Sequence, residues 1–280
     1  MKISVIKPHG FCAGVTAALK KAMKLSERRG AATVYCLHEL VHNDLVVDDL
    51  VHRGFAFVES VEDVPEGATV LFSAHGVPPA TRRAAAARRL NVVDATCPFV
   101  ERVHKAARDF SSKGLQVVVI GHPGHIEVKG IVGEAANAVV VRDIEEAARL
   151  HFSTTPADRP TAIGVVSQTT MNSGEVAKIV STLKKRFAVE TVAEVCNATK
   201  VRQDAVKAFG GDAILVLGSA SSSNTARLCE CAPCRSFRAG SMDEVKAMDF
   251  SGVAHLGVTS GASTPESFLE EAVGWLRARR

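Results

Sequence analysis

The sequence predicts an α/β fold with mostly parallel sheets. Short apolar runs, such as 69–72, 116–120 and 213–217, alternate with longer segments in which apolar residues recur every three or four positions. The short runs indicate buried strands, the longer segments indicate helices, and their alternation is typical of parallel α/β architectures. In addition, single cysteines follow three well-separated strands, which suggests three lobes that each contribute one thiol.

The first lobe is predicted to span residues 1–95, and the C-terminal tail, 264–280, is expected to join it. Its predicted strands are 3–6, 33–37, 55–58, 69–72 and a short run that ends at 93, and its predicted helices are 15–28, 44–51 and 80–90. Gly30 follows the first of these helices, at a position where glycine commonly ends a helix. The tail is predicted to form one helix over 265–279.

The second lobe is predicted at 96–190 and the third at 191–263. The second has predicted strands at 116–120, 138–141 and 162–166, helices at 99–110, 143–150 and 172–187, and a polar loop at 153–160. The third has predicted strands at 191–195, 213–217 and 253–258, a helix at 201–209, and a helix from 226 that contains Cys229, Cys231 and Cys234. Ligands of parallel sheets collect at the carboxyl ends of the strands, so the loops that follow these strands form the candidate site.

The composition bounds the class of protein. With 280 residues, of which 46% are hydrophobic and 23% charged, the chain has the size and balance of a soluble globular protein with a sizeable core. A formal net charge of +4 without a basic stripe argues against nucleic-acid binding. The sequence has no recognisable transmembrane segment or secretory signal, so we expect a cytoplasmic protein with no membrane partner. Seven cysteines in such a chain favour metal binding or catalysis over disulfides.

Cys97 lies at a predicted junction between a strand and a helix. Pro98 suits the first position of that helix, and the amino end of a helix favours a thiolate. Cys12 and Cys196 occupy junctions of the same kind. Three thiolates would leave one coordination position open, which is the arrangement expected for a reactive metal centre rather than a structural one.

Nine polar residues lie in the loops that follow predicted strands. They are His42, His75, His125, Glu127, Thr169, Ser222, Ser223, Asn224 and Ser263. Small hydroxyl and amide side chains beside helix amino ends are suited to a phosphate or diphosphate, and histidines add donors whose charge depends on pH. A single serine-rich loop more often has a structural role, but the shared position of all nine favours a ligand site. None of the nine is Lys or Arg, so hydrogen bonds and helix ends would hold the anion.

Glu127 has two interpretations. In a closed pocket its carboxyl group would have a raised pKa and could relay protons. Alternatively, it is an ordinary surface glutamate at the start of a helix, where a negative charge is favourable. The pattern alone favours neither interpretation.

Several common cofactor motifs are absent from the sequence. No Gly-x-Gly-x-x-Gly follows a strand, and there is no Gly-x4-Gly-Lys-Ser/Thr loop, so the usual cradles for dinucleotides and nucleoside triphosphates are missing. The sequence also lacks a ferredoxin-like run of cysteines. If the centre transfers electrons, they come from another protein.

The motifs in these loops resemble those of the 4-hydroxy-3-methylbut-2-enyl diphosphate (HMBPP) reductase family, which belongs to the methylerythritol phosphate route to isoprenoids. The resemblance covers nearly the whole chain. It is carried by segments 10–15, 39–43, 73–77, 94–98, 121–128, 168–170, 196–199, 222–224 and 261–263. The match is specific: for example, 10–15 reads GFCAGV, 94–98 reads DATCP and 121–128 reads GHPGHIEV.

The resemblance implies three α/β lobes in a pseudo-threefold, trefoil-like arrangement around one [4Fe–4S] cluster. Cys12, Cys97 and Cys196 would ligate three irons, and the open fourth iron would bind the allylic hydroxyl group of the substrate. The residues implied to bind the substrate are His42, His75, His125, Thr169, Ser222, Ser223, Asn224 and Ser263. The implied catalytic residues are Glu127 as the proton source, Thr169, which orients the network, and His125.

The implied reaction is a two-electron reductive dehydroxylation. The substrate is a small allylic diphosphate, HMBPP, which would lose its hydroxyl group as water and give isopentenyl and dimethylallyl diphosphates in the last step of the pathway. An external donor such as ferredoxin or flavodoxin would provide the electrons.

Three other functions are compatible with the cysteine pattern. A hydrolyase would use the open [4Fe–4S] cluster only as a Lewis acid, and a non-enzymatic protein would use it as an iron–sulfur sensor. The third is a zinc protein built on Cys229, Cys231 and Cys234, a group that lies outside the motifs of the family. A requirement for a reductant separates the reductase from the hydrolyase, and metal analysis separates both from the zinc protein.

Overall fold

The computed structural model describes residues 1–28, 30, 32–152, 162–193 and 195–279 of the chain. It confirms the predicted α/β class, because strands and helices alternate and the described strands form three four-stranded, mostly parallel sheets. The polar loop predicted at 153–160 lies outside the described residues, as does position 194 of a predicted strand. Among the helices of these ranges, none combines the length and the apolar composition that crossing a bilayer requires.

The secondary-structure elements are numbered in chain order. The strands are β1 (Lys2–Val5), β2 (Val34–Leu37), β3 (Phe55–Val58), β4 (Thr69–Phe72), β5 (Asn91–Asp94), β6 (Gln116–Ile120), β7 (Val139–Val141), β8 (Ala162–Ser167), β9 (Ala188–Val192), β10 (Ala213–Leu217), β11 (Arg235–Ala239) and β12 (His255–Ser260). The helices are α1 (Ala13–Arg28), α2 (Asp44–His52), α3 (Pro79–Ala87), α4 (Pro98–Ser112), α5 (Ile126–Val132), α6 (Ile144–Arg149), α7 (Ser173–Lys184), α8 (Asn197–Lys207), α9 (Ser223–Glu230), α10 (Met242–Ala247) and α11 (Glu266–Ala278). A short 3-10 helix spans Val61–Asp63.

One sheet joins the first strand of the chain to its last three strands, in the order β1-β12-β10-β11. All neighbouring strands in it are parallel. Leu215 and Leu217 of β10 pack in one apolar cluster, which includes Leu269 of α11, while Ile214 packs in another with residues of α8 and α9. Side chains that alternate along a strand point to opposite faces, so helices cover both faces of this sheet.

The other two sheets follow one another along the chain. Their orders are β3-β2-β4-β5 and β7-β6-β8-β9, with β6, β7, β8 and β9 all parallel. In the second of them, Val119 packs with α4 and Ile120 packs with α7, so this sheet is also covered on both faces. Gly164 lies where a Cβ atom would approach the ring of Phe110 to 2.4 Å, which explains a glycine inside a buried strand.

The chain divides into two compact units. The terminal unit consists of Met1–Val34, Glu39–Phe57 and Asn197–Arg280, and the central unit consists of Tyr35–His38 and Val58–Cys196. The β1-β12-β10-β11 sheet and its helices belong to the terminal unit. Sheet membership does not by itself define lobes, and the boundaries proposed from the sequence at 95, 190 and 263 stay a prediction.

Several elements differ from the sequence-based expectation. Strand β9 begins three residues earlier than predicted and ends at Val192, because its partner β8 ends at Ser167. Strand β11 was not predicted, since it is an edge strand with exposed arginines instead of an apolar run. Helix α9 ends at Glu230, so the helix predicted to contain all three cysteines contains only Cys229.

Candidate functional site

Each predicted site residue follows the carboxyl end of a strand in the structure. Cys12 follows β1, His42 follows β2, His75 follows β4, Cys97 follows β5, His125 and Glu127 follow β6, Thr169 follows β8, Cys196 follows β9, Ser222, Ser223 and Asn224 follow β10, and Ser263 follows β12. This is the edge at which parallel sheets bind ligands. The residues divide into a group in the central unit and a group in the terminal unit.

In the central unit, Glu127 and Thr169 form a buried pair. Glu127 lies in the first turn of α5 and is 2% exposed. The backbone N–H of Thr169 donates to Oε1 of Glu127 at 2.6 Å, and the Thr169 hydroxyl donates to Oε2 at 3.2 Å. Both carboxylate oxygens are therefore held, and the direction of the carboxyl group is fixed.

The environment of Glu127 changes its acidity. Burial raises the pKa of the Glu127 carboxyl group to about 7, because the charged form is poorly solvated, while the two hydrogen bonds from Thr169 lower the pKa and oppose this effect. The interpretation of Glu127 as a surface glutamate is therefore wrong. A carboxyl group that titrates near neutral pH can both hold and release a proton.

Two histidines lie next to this pair. His125 is the N-cap of α5, and its Nδ1 accepts a hydrogen bond from the backbone N–H of Glu127 at 3.1 Å. The ring of His75 meets the ring of His125 edge-on, with the centroids 6.0 Å apart and the planes at 82°. Since Nδ1 of His125 is an acceptor, a proton on the neutral ring is at Nε2, where it could be donated to a ligand.

Backbone hydrogen bonds connect two of the three predicted cysteine ligands to this group. The N–H of Cys97, which is the N-cap of α4, donates to the carbonyl of Ala74, the residue before His75, at 3.0 Å. The N–H of Cys196 donates to the carbonyl of Thr169, also at 3.0 Å. The central unit thus brings together all six of its predicted site residues through direct contacts or through adjacent positions in the chain.

In the terminal unit, the backbone of the third predicted cysteine ligand, Cys12, also makes a hydrogen bond of this kind. The N–H of Cys12 donates to the carbonyl of Ala262 at 3.0 Å, and the hydroxyl of the next residue, Ser263, donates to the carbonyl of His42 at 3.0 Å. The N–H of Val15, in the first turn of α1, lies 3.5 Å from Sγ of Cys12. Cys12, His42 and Ser263 therefore belong to one connected group.

The predicted segment 222–224 opens α9 in the terminal unit. Ser222 is the N-cap, and its hydroxyl oxygen accepts from the N–H of Thr225 at 3.3 Å. Asn224 is 5% exposed, and neither Nδ2 nor Oδ1 of its amide has a hydrogen-bond partner among the described residues. Buried polar groups are nearly always hydrogen-bonded in proteins, so this amide has the properties of a group that receives a ligand.

The chemistry of the three predicted thiols fits an iron–sulfur centre. Cys12, Cys97 and Cys196 are each partly exposed and each directly precede a helix. Cysteine thiolates are the ligands of such clusters, and helix amino ends favour anionic sulfur. The residues present therefore fit the cluster that the resemblance implies.

The second cysteine group has a different environment. Cys229, Cys231 and Cys234 pack against an apolar cluster that includes Ile214 and Leu228. Burial raises the pKa of the Cys229 thiol to about 11, which disfavours the thiolate that a metal ion needs. This environment supports a packing role for the three thiols.

One further residue near the site has no recognisable signal in the sequence. Arg202 of α8 is 5% exposed, and its guanidinium donates to the carbonyl of Ala198 at 2.9 Å and to that of Gly10 at 2.8 Å. An arginine in a helix ordinarily predicts a solvated position. Here it joins the start of α8 to the loop that leads into Cys12.

The chain is similar to known proteins along nearly its whole length. Residues 3–277 match the family model described as LytB protein. Curated relatives named 4-hydroxy-3-methylbut-2-enyl diphosphate reductase include one from Dechloromonas aromatica, 41% identical over 99% of this chain and 92% of the relative, and one from Rhodopirellula baltica, 40% identical over 99% and 88%.

Two solved structures are also similar. The E-1-hydroxy-2-methyl-but-2-enyl-4-diphosphate reductase from Plasmodium falciparum has a TM-score of 0.90 and 30% identity, over 98% of this chain and 87% of that chain. A structure of (E)-4-hydroxy-3-methyl-but-2-enyl diphosphate reductase, described as the terminal enzyme of the non-mevalonate pathway, has a TM-score of 0.68 and 30% identity, over 99% and 100%.

Proposed function

The chain belongs to the LytB protein family, and from this premise we propose how its residues perform the reaction of a 4-hydroxy-3-methylbut-2-enyl diphosphate reductase. The protein is an enzyme of that name, the terminal enzyme of the non-mevalonate pathway. In the proposed reaction, HMBPP takes up two electrons and two protons, loses its hydroxyl group as water, and yields isopentenyl or dimethylallyl diphosphate. The observation that carries the mechanism is the buried Glu127 carboxyl group held by Thr169.

LytB proteins are iron–sulfur enzymes. Cys12, Cys97 and Cys196 would hold one [4Fe–4S] cluster with three cysteine ligands and an open fourth iron. When bound, the cluster would supply the electrons and a Lewis acid for the hydroxyl oxygen of the substrate. Support for this assignment comes from the shared position of the three thiols at helix amino ends.

Glu127 would deliver the proton that turns the hydroxyl group into water. With a pKa of about 7, its carboxyl group is protonated in about half of the molecules at neutral pH. Thr169 fixes the direction of the carboxyl group, and His125, which caps the same helix, would complete the proton network. A positioned acid of matched pKa typically contributes a factor of about 10² to 10⁴ to the rate.

The remaining predicted residues would bind the diphosphate. They are His42, His75, Ser222, Ser223, Asn224 and Ser263, together with His125 and Thr169. The unpartnered amide of Asn224 supports this role, because a phosphate oxygen could accept from Nδ2. The Ser222 hydroxyl caps α9, and the Ser263 hydroxyl donates to the backbone carbonyl of His42. Both residues would therefore contribute to the shape of the binding site as well as to its hydrogen bonds.

The electrons would come from another protein, such as a ferredoxin or a flavodoxin. The sequence has neither a dinucleotide-binding glycine motif nor a ferredoxin-like run of cysteines that could pass electrons on internally. The natural donor is thus proposed to be a separate small redox protein.

The test is anaerobic turnover of HMBPP by the purified, iron-loaded protein with a reduced viologen dye as electron donor. We expect consumption of the substrate with formation of the two five-carbon diphosphates, dependent on the dye. An intact cluster with no turnover would contradict the proposed function. Loss of water from the substrate in the absence of any reductant would instead identify a hydrolyase.

A further inference from the structure

His104, Glu134 and Arg108 form a triad in the central unit, of which His104 and Glu134 are buried and Arg108 is exposed. Nδ1 of His104, on α4, is 2.8 Å from Oε1 of Glu134, and Nη1 of Arg108 is 2.9 Å from the same oxygen. The side chains of His104 and Glu134 are each 1% exposed. Because a carboxylate faces Nδ1, that nitrogen carries the proton, and the hydrogen bond fixes the orientation of the imidazole ring. The proposed mechanism uses none of these three residues.

The opposite edge of the His104 ring faces two glycine backbones. A Cβ atom on Gly76 would lie 2.8 Å from Nε2 of His104, and one on Gly130 would lie 3.0 Å from Cε1 and 3.1 Å from Nε2. Both distances are shorter than ordinary contacts, so the ring touches the backbone at both positions. Gly76 directly follows His75, and Gly130 lies three residues after Glu127 on α5.

The same two segments also contact one another. A Cβ atom on Gly130 would be 3.5 Å from the carbonyl oxygen of Gly76, and one on Gly133 would be 2.3 Å from Cβ of Pro78. The loop 73–78, which we name the His75 loop, therefore lies directly on α5. The His104 ring lies at the junction of three elements: α4, α5 and the His75 loop.

A histidine at this position is not explained by stability alone. Nε2 of His104 is buried and has no hydrogen-bond partner among the described residues, which is unfavourable for a polar group. An apolar side chain would fill the space without this cost, but it would have no hydrogen bond to Glu134 to fix its orientation. The triad instead provides a rigid edge at a defined distance from two backbones.

We propose that His104 is a positioning residue for the reaction. The hydrogen bond to Glu134 fixes the His104 ring, and the ring sets the separation between the His75 loop and α5, the helix that carries Glu127. This inference rests on the proposed function, because it gives a purpose to the spacing between a substrate-binding histidine and the proton donor. Misplacing a reacting group by about 1 Å can reduce a rate by about 100-fold.

The test uses His104→Asn, Gly130→Ala and the double variant. Asparagine can keep the hydrogen bond to Glu134 but lacks the ring edge that contacts the glycines. The added methyl group of Gly130→Ala would lie 3.0–3.1 Å from that edge in the wild type, so the ring or the helix must shift by a few tenths of an ångström, and it has more room when the edge is absent. Lys105→Ala, an exposed change on the same helix, is the matched control. For each variant, kcat and KM for HMBPP are measured and normalised to bound iron.

We expect each single variant to lose at least about tenfold in kcat, and the double variant to recover most of the loss relative to Gly130→Ala. Additive losses, or an unchanged kcat in both single variants, would overturn the proposal, since a merely structural role predicts no recovery. If His104→Asn does not yield folded protein, Gly130→Ala alone decides: an unchanged kcat overturns the positioning role.

A measurement without substrate separates this proposal from the proposed function. The C=O stretching band of the protonated Glu127 carboxyl group, identified by its loss in Glu127→Gln, is titrated by infrared spectroscopy. Displacing α5 in Gly130→Ala weakens the hydrogen bonds from Thr169 and should move the midpoint upward, with a return in the double variant. If the wild type does not reduce HMBPP, the proposed function fails, and this midpoint still supports or overturns the positioning role.

Discussion

Thr169 donates to both oxygens of the Glu127 carboxyl group, once from its backbone N–H and once from its hydroxyl group. The two residues are 42 positions apart and lie after neighbouring parallel strands, β6 and β8. The backbone bond survives any substitution at 169 other than proline, whereas the hydroxyl bond depends on the side chain. The pair therefore allows the acidity of Glu127 to be changed without removing the carboxyl group.

Thr169→Val should raise the pKa of Glu127. Valine keeps the shape of the side chain and loses the hydroxyl bond, which lowers the pKa in the wild type. We expect an upward movement of up to about one pH unit, equivalent to about 1.4 kcal/mol, in the corresponding limb of the profile of kcat/KM against pH. Thr182→Val, whose hydroxyl group donates to a helix carbonyl elsewhere, should leave the profile unchanged. A downward movement in Thr169→Val would contradict the assignment.

Glu127→Gln should lose about 100-fold or more in kcat, because the amide cannot deliver the proton. The hydrogen bond from the backbone of Thr169 can persist to the amide oxygen, so we expect iron content and substrate binding to be retained. Turnover and iron content are measured on the same preparation. A fully active variant would refute the proton role of Glu127.

The same substitution should change how stability depends on pH. The pKa of Glu127 is about 7 in the folded protein and is ordinarily 4.5, so the folded state binds more protons between these values and loses stability as pH rises. Between pH 4.5 and pH 8, the free energy of unfolding of the wild type should fall by roughly 3 kcal/mol relative to Glu127→Gln. Denaturant unfolding at both pH values measures this difference. Parallel curves for the two proteins would show that the folded carboxyl group is not perturbed.

Asn224→Leu should separate stability from binding. The change replaces two buried polar atoms that have no partner among the described residues with an apolar group of similar size. We therefore expect an unchanged free energy of unfolding, or a gain of about 1 kcal/mol, together with a KM that rises about tenfold. Asn137→Ala, an exposed change in the central unit, serves as the control for KM. A strongly destabilised Asn224→Leu would show that the amide is satisfied within the protein.

Arg202→Met should loosen the loop that leads into Cys12. The variant loses charged hydrogen bonds to the carbonyls of Gly10 and Ala198, each typically worth about 1.5–3 kcal/mol. We expect a lower free energy of unfolding by about 2–4 kcal/mol and faster release of iron to a chelator. Lys207→Met, at an exposed position of the same helix, should match the wild type in both measurements. Equal rates of iron release would contradict the link between Arg202 and the Cys12 loop.

Much of the fold could be predicted because its signals are local. Apolar runs such as β6 and β10 are buried on both faces, so they appear in the sequence as unbroken hydrophobic segments. The polar residues that follow these runs serve as helix caps, as Ser222 and His125 do, so the candidate site could be located from the same pattern. Strand β11 was missed for the opposite reason, since an exposed edge strand needs no apolar run.

The parts that could not be predicted depend on contacts between distant segments. The burial of Glu127 follows from its pairing with Thr169 and from the packing of α5, neither of which leaves a local signal. Helix α5 was expected only in the interpretation that placed Glu127 at the start of a helix, because it is short and contains Gly130, which is needed for the close approach of His104. Arg202 resembles any other helical arginine until the loop of Gly10 folds against it.

The backbone hydrogen bonds of Cys12, Cys97 and Cys196 have a consequence for how the protein responds to mutation. In each of these bonds the donor is the backbone amide of the cysteine and the acceptor is a backbone carbonyl, as with Cys97 and Ala74. A substitution at an acceptor residue changes the side chain but leaves the backbone carbonyl in place, so the hydrogen bond to the cysteine can persist. Only replacement of the cysteine by proline removes the donor. The acceptors Ala74 and Ala262 can therefore change side chain without loss of the bond, whereas Thr169 is constrained by the separate hydrogen bond from its hydroxyl group to Glu127.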